Sequence, residues 1–170
     1  MGVLYTHNQS ILAAFGNVNM FSSVSHPMQA IVGELLSDDD FVDAFLDRSR
    51  ILLRQSYEIV TRALDEINVP YVPAEAGIFL YCDFSGLLRD DSFESEDELG
   101  RVFEEYGRVV LTPGRSQRDS KAGRFRICYA FVSTEVLGIG MMRIVRICKH
   151  IQSEGWDCIE LVNGESFLKT

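Results

Sequence analysis

Between about Asp39 and Asn68, apolar residues recur at helical spacing over an unusually long stretch. Val42, Phe45, Leu46, Leu52, Leu53, Ile59, Val60, Ala63, Leu64 and Ile67 share one stripe, and Ser49 and Ser56 fill its two remaining places. Ser37 through Asp40 offer a hydroxyl and carboxylates at the positive end of the helix dipole. At 1.5 Å per residue such a helix is roughly 40 Å long. That exceeds what a small domain needs to cover one sheet face, so the stripe predicts a connector between two bodies. Val69-Pro70 and Pro73 then break the helix.

The segments after the helix read as an α/β unit. Gly77 to Phe84 is a strand candidate rich in β-formers. The acidic stretch Asp90, Asp91, Glu94, Glu96, Asp97 and Glu98 reads as a solvated loop entering a helix, which Leu99, Val102, Phe103 and Tyr106 continue until Gly107. Val109 to Thr112 is a second strand, stopped by Pro113-Gly114, and Arg124 to Phe131 is a third. Ser133 or Thr134 caps a closing helix through about Ile151. These elements predict a few-stranded sheet covered by helices on one face. Ahead of the long helix, Val3-Leu4-Tyr5 reads as a short strand, residues 8–21 as a helix with a turn, and Pro27 as the first turn of a second helix. That strand–helix–helix piece looks like part of something larger. Gln152 to Thr170 shows weak periodicity and reads as a tail in which Trp156 and Phe167 could dock.

Sixteen basic against twenty-five acidic side chains give a net charge of −9, which argues against nucleic-acid and anionic-membrane partners. No apolar run approaches the roughly 20 residues of a membrane span, and Met1 to His7 lack the basic and apolar regions of a secretory signal. Cys82, Cys128, Cys148 and Cys158 form no Cys-x-x-Cys pair, and His7, His26 and His150 are scattered. The expectation is a cytoplasmic protein with free thiols and no metal site.

Along the third strand, alternation sets Phe125, Ile127, Tyr129 and Phe131 on a core face and Arg124, Arg126, Cys128 and Ala130 on the other. An arginine beside two small neighbours suits a two-point grip on a carboxylate. The same pattern also suits an arginine satisfied by a structural carboxylate at a sheet edge, and on the residues alone both readings stand.

Four stretches, in order, resemble one family. Gly123-Arg124-Phe125-Arg126-Ile127-Cys128-Tyr129-Ala130 is similar to a strand of the pyridoxal-phosphate-dependent class I/II aminotransferases of fold type I, and most of all to 1-aminocyclopropane-1-carboxylate synthase-like proteins. Leu36 to Val42 resembles the family's helix start, Ala76-Gly77-Ile78-Phe79 its strand, and Thr112-Pro113-Gly114 its turn. With Gly2-Val3-Leu4-Tyr5, the likeness covers roughly residues 2–151.

The resemblance implies that Arg126 binds the α-carboxylate of an amino-acid substrate, and that the long helix joins a large cofactor domain to a small C-terminal one. It implies a remnant of the large domain at 1–40, the small domain with its connecting helix at 41–151, and a tail at 152–170. Gly77 and Pro113-Gly114 are expected as backbone devices. The family's cofactor is pyridoxal 5′-phosphate, held by a lysine in a Ser-x-x-Lys context, and its enzymes serve amino-acid metabolism as homodimers. Lys121, Lys149 and Lys169 all lack that context, and Arg115-Ser116-Gln117 departs from the family's sequence after the Pro-Gly turn. The chain thus reads as the C-terminal part of such an enzyme, beginning just after the cofactor lysine. It has no catalytic residue of its own to name and is expected to be silent in isolation. The alternative is a non-enzymatic α/β binding or interaction module.

Overall fold

The computed structural model describes residues 2–19 and 23–156. Its elements run α1 (Gln9–Asn19), α2 (His26–Ser37), α3 (Asp39–Glu66), β1 (Tyr71–Val72), β2 (Phe79–Asp83), α4 (Phe93–Glu105), β3 (Thr112–Pro113), β4 (Arg124–Cys128) and α5 (Thr134–Glu154). The chain divides into two compact units, Met1–Ser49 and Arg50–Thr170. The division falls within α3, a continuous helix of 28 residues.

In the first unit, Asp38 begins α3 by accepting the Phe41 amide on Oδ1 at 3.0 Å. Pro27 lies in the first turn of α2, where its missing N–H costs nothing. Neither α1 nor α2 buries a residue. Val3-Leu4-Tyr5 is not a strand, because no neighbouring strand pairs with it among the described residues. Met20 and Phe21, and the tail from 157 onward with Cys158, Phe167 and Lys169, lie outside the described residues.

The second unit is built on a four-stranded antiparallel sheet in the order β1-β2-β4-β3. Its centre is the β2–β4 pair, with Leu80 opposite Ile127 and Cys82 opposite Phe125. These four residues are buried and face the helices. Val60 and Leu64 of α3, Leu99 and Phe103 of α4, and Ile144 and Cys148 of α5 complete that core. Phe84, Phe103 and Phe125 meet edge to face with centroids 5.4–6.0 Å apart, a geometry that adds to their area burial. The helices therefore cover one face, and the other carries Tyr81, Asp83, Arg124 and Arg126.

Several strand expectations need correction. β4 ends at Cys128, and Phe131, expected in the core, is 87% exposed. The strand expected at Val109–Thr112 is only Thr112–Pro113, which pairs with Arg126 and Phe125; Val109 to Leu111 pair with no strand among the described residues. Tyr71–Val72 forms an edge strand that two residues could not announce by periodicity. At the C-terminal end, Trp156 is buried and its indole N–H donates to the Leu87 carbonyl at 2.8 Å.

The uncovered apolar residues Ile11, Leu12, Phe15 and Ile31 generate a prediction. The full chain associates with rising concentration, and deletion of residues 1–36 reduces that association. Sedimentation velocity on both forms checks it; a full chain that stays monomeric at all concentrations contradicts it.

Candidate functional site

Arg124 and Arg126 lie two positions apart on β4 and so share the open face of the sheet. Their surroundings differ in charge. Arg124 Nη1 donates to Asp119 Oδ2 at 3.2 Å, and its Nε lies 3.7 Å from Asp83 Oδ2 on the paired strand. Two carboxylates thus satisfy it. Arg126 stands opposite Tyr81 on one side and Thr112 on the other. Among the described residues, its guanidinium meets only neutral groups. Nη1 donates to Gln117 Oε1 at 3.0 Å, and Cζ lies 4.2 Å from the centre of the Phe79 ring. Its Nε is buried with no hydrogen-bond partner.

The open volume that small neighbours promised lies to one side of Arg126. Together with Val110, Leu111, Cys128, Val136 and Ile139, it lines a cleft of about 630 Å³. Arg108 and Arg143 also line this cleft, so its charged lining is cationic. Its chemistry suits a carboxylate accepting N–H bonds from a fixed, planar donor.

The turn between β3 and β4 carries Gln117 to this place. Gly114 begins it, and a side chain there would meet the Arg124 carbonyl and the Tyr81 hydroxyl at 2.8 Å. Gly123 ends it with φ +88°, its Cα so close to the chain that a Cβ would fall 2.5 Å from Ser85 Cα. Pro113-Gly114 is thus a backbone device, as expected. Gly77 takes φ +89° and accepts the Tyr129 hydroxyl on its carbonyl at 2.8 Å, which closes the loop before β2.

Two carboxylates hold the turn. Asp119 accepts the Tyr81 hydroxyl at 2.6 Å, the Lys121 amide at 3.0 Å and the Arg124 guanidinium. These bonds, the Tyr81 hydroxyl first, lower its pKa to about 2. Burial, then the bond to Asp119, pushes Tyr81 up to about 12. Glu96 is fully buried, and its two oxygens accept the Arg115 amide at 3.1 Å and the Gly123 amide at 2.8 Å. The acidic stretch is therefore not wholly solvated, contrary to expectation. Glu96 sits three and seven residues before the core residues Leu99 and Phe103, so a carboxylate on the buried stripe was the signal available. Asp119 and Gln117 had no such signal, because a loop carries no period.

No cluster of metal-ligating side chains occurs among the described residues. Burial pushes the thiols of Cys82 and Cys148 up to about 12. No helix among those residues is long and apolar enough to cross a membrane.

Known proteins share this architecture. The model for class I and II aminotransferases matches residues 1–144. The chain belongs to this aminotransferase family. Its similarity to 1-aminocyclopropane-1-carboxylate synthase 6 of Arabidopsis thaliana is 29% identity over 154 residues, covering 91% of this chain and 31% of that one. To synthase 2 of the same plant it is 33% over 145 residues, covering 85% and 29%. The chain thus spans about three tenths of the length of these relatives. The fold matches the α-aminoadipate aminotransferase LysN of Thermus thermophilus, solved with N-(5′-phosphopyridoxyl)-L-leucine, at a TM-score of 0.66 and 23% identity, over 86% of this chain and 37% of that one.

Aminotransferases of this family depend on pyridoxal 5′-phosphate. The lysines among the described residues do not fit a covalent hold on that cofactor at the Arg126 cleft. Lys149 is paired with Glu66, and Lys121 lies exposed on the β3–β4 turn; neither lines the cleft.

The Asp119 clamp generates a pH prediction. A carboxyl held below its unfolded value of about 3.9 contributes stability above that pH and loses it as the pH falls toward the folded value. Asp119 therefore stays ionised through pH 4 and protonates only near about 2. A carbon-13 titration of its carboxyl checks this, and an ordinary midpoint near 4 contradicts the clamp.

Proposed function

We propose that this chain is the substrate-carboxylate-binding, C-terminal part of a pyridoxal-phosphate-dependent aminotransferase or 1-aminocyclopropane-1-carboxylate synthase-like enzyme acting on amino acids. Arg126 binds the α-carboxylate. One observation carries this reading: of two arginines on one strand face, Arg124 is taken by Asp83 and Asp119, while Arg126 meets only Gln117 and Phe79. The structural-arginine alternative fits Arg124. It does not fit Arg126, whose charge has no acidic partner among the described residues.

The cofactor supplies the electron sink for breaking bonds at the α-carbon in such enzymes. This segment's own contribution is the grip. The guanidinium offers parallel N–H donors to a carboxylate, the Phe79 ring sets their plane, and the apolar wall of the cleft limits competing water. The domain assignment follows the same reading: residues 1–40 belong to the large cofactor domain, 41–151 to the small domain with its connecting helix, and 152–170 to a tail. The whole enzyme acts as a homodimer in the cytoplasm, where the free thiols of Cys82, Cys128 and Cys148 stay reduced. By itself this 170-residue segment is catalytically silent, because Lys121, Lys149 and Lys169 lack the Ser-x-x-Lys context.

Two measurements test the reading. Incubation with pyridoxal phosphate, borohydride reduction and peptide mapping leave no lysine labelled stoichiometrically; full labelling at one lysine overturns the inactivity. In an enzyme carrying this segment, Arg126→Lys keeps the charge but loses the planar fork. It lowers kcat/KM for amino acids by roughly ten- to a hundredfold, the worth of one charge-assisted contact. Arg124→Lys changes it little, since a cation still stands beside Asp119. A large loss at Arg124 with little at Arg126 contradicts the assignment.

A further inference from the structure

We infer that Gln117 and Glu96 are positioning residues for Arg126: Glu96 fixes the β3–β4 turn from inside the core, and the turn delivers a neutral acceptor that aims the guanidinium. The inference rests on Arg126 being the carboxylate ligand and adds how that side chain is held ready.

A long arginine side chain has many rotamers, and a two-point grip needs its plane fixed before the ligand arrives. Here the plane is set on one side by the Phe79 ring at 4.2 Å and at one end by Gln117 Oε1 at 3.0 Å from Nη1. The chemistry of the acceptor matters. A carboxylate in place of the amide would orient the guanidinium equally well but neutralise it, as Asp119 and Asp83 do for Arg124. An amide carbonyl orients without cancelling the charge, so the cation stays available to an anionic ligand.

Gln117 itself is exposed and sits on a short 3₁₀ turn, Gly114–Gln117, which has little stability of its own. Its place depends on Glu96. That side chain is fully buried, yet its hydrogen bonds go to the backbone amides of Arg115 and Gly123, near the two ends of the turn. A buried carboxylate is tolerated when its oxygens are satisfied, and here the satisfaction consists of closing this turn. Arg115, whose amide Glu96 holds, is two residues from Gln117. Asp119 binds the same turn to β2 through the Tyr81 hydroxyl. The path Glu96–turn–Gln117–Arg126 is thus continuous in hydrogen bonds and backbone.

Nuclear magnetic resonance of the full chain tests this, with L-alanine as the carboxylate probe and the Nε–H resonance of Arg126 as the reporter. In the native chain, L-alanine shifts that resonance. Gln117→Ala leaves the fold intact, speeds hydrogen exchange at Arg126 Nε and weakens L-alanine binding by roughly tenfold, the worth of one lost hydrogen bond to a charged group. Gln117→Glu slows that exchange instead but weakens binding further, and the loss is relieved as the pH falls through the carboxylate range. A purely structural role for the turn would not produce that reversal. Glu96→Gln, which presents a donor to one of the two amides, speeds exchange at both the Gly123 amide and Arg126 Nε, while the Leu80 amide in the sheet is unchanged.

The outcomes separate the two ideas. If both Gln117 variants bind L-alanine as the native chain does and Arg126→Lys alone abolishes binding, the positioning role is wrong and the carboxylate role stands. If L-alanine never moves the Arg126 resonance, the carboxylate role falls. Positioning is then judged by exchange without the probe: faster exchange at Arg126 Nε in Gln117→Ala and Glu96→Gln upholds it, and unchanged exchange overturns it.

Discussion

The pairing of β2 with β4 is the constraint on which the second unit depends. Its register sets Leu80 against Ile127 and Cys82 against Phe125 on the covered face. Because side chains alternate, the same register places Asp83 opposite Arg124 and Tyr81 opposite Arg126 on the open face. A slip of one residue would turn the two arginines into the core and put Phe125 and Ile127 in water. The apolar face therefore selects the register, and the register assigns the charges. Hydrophobic burial is the stronger effect here; the arginine environments are its consequence.

Charge is distributed unevenly over that open face, and that unevenness carries the proposed assignment of Arg126. Arg124 lies at the start of β4, where Asp83 and the turn residue Asp119 both reach it. One pleat further on, no carboxylate among the described residues reaches Arg126. Exposed ion pairs such as Arg54–Glu58 add little to stability. Glu96 is of another kind, since its burial makes each of its two backbone hydrogen bonds necessary. One buried carboxylate thus shapes the turn, and no carboxylate among the described residues pairs with Arg126, which the turn residue Gln117 meets.

Much of this was legible in the residue pattern, for a physical reason. Helices with a sustained 3.6-residue stripe, α3 through α5, and the cap at Ser133 follow from local chemistry. Alternation along β4 was legible too, and it placed both arginines on one face. What it could not convey was which arginine is satisfied, because Asp83 and Asp119 reach Arg124 only once the strands pair and the turn folds. Phe131 falls outside the core for a related reason: alternation has no signal for where a ladder stops, and β4 ends three residues earlier at Cys128. The family resemblance suggested the role proposed for Arg126, whereas Gln117, at the place where this chain departs from the family, acquires meaning only from its 3.0 Å contact.

A crystal structure of this chain grown with an amino acid that carries a free α-carboxylate bears most directly on the central claim. The account predicts the carboxylate on the guanidinium of Arg126, inside the cleft, with Arg124 still bound to Asp119. A carboxylate on Arg124 with Asp119 displaced, or none at Arg126 at saturating amino acid, would contradict it.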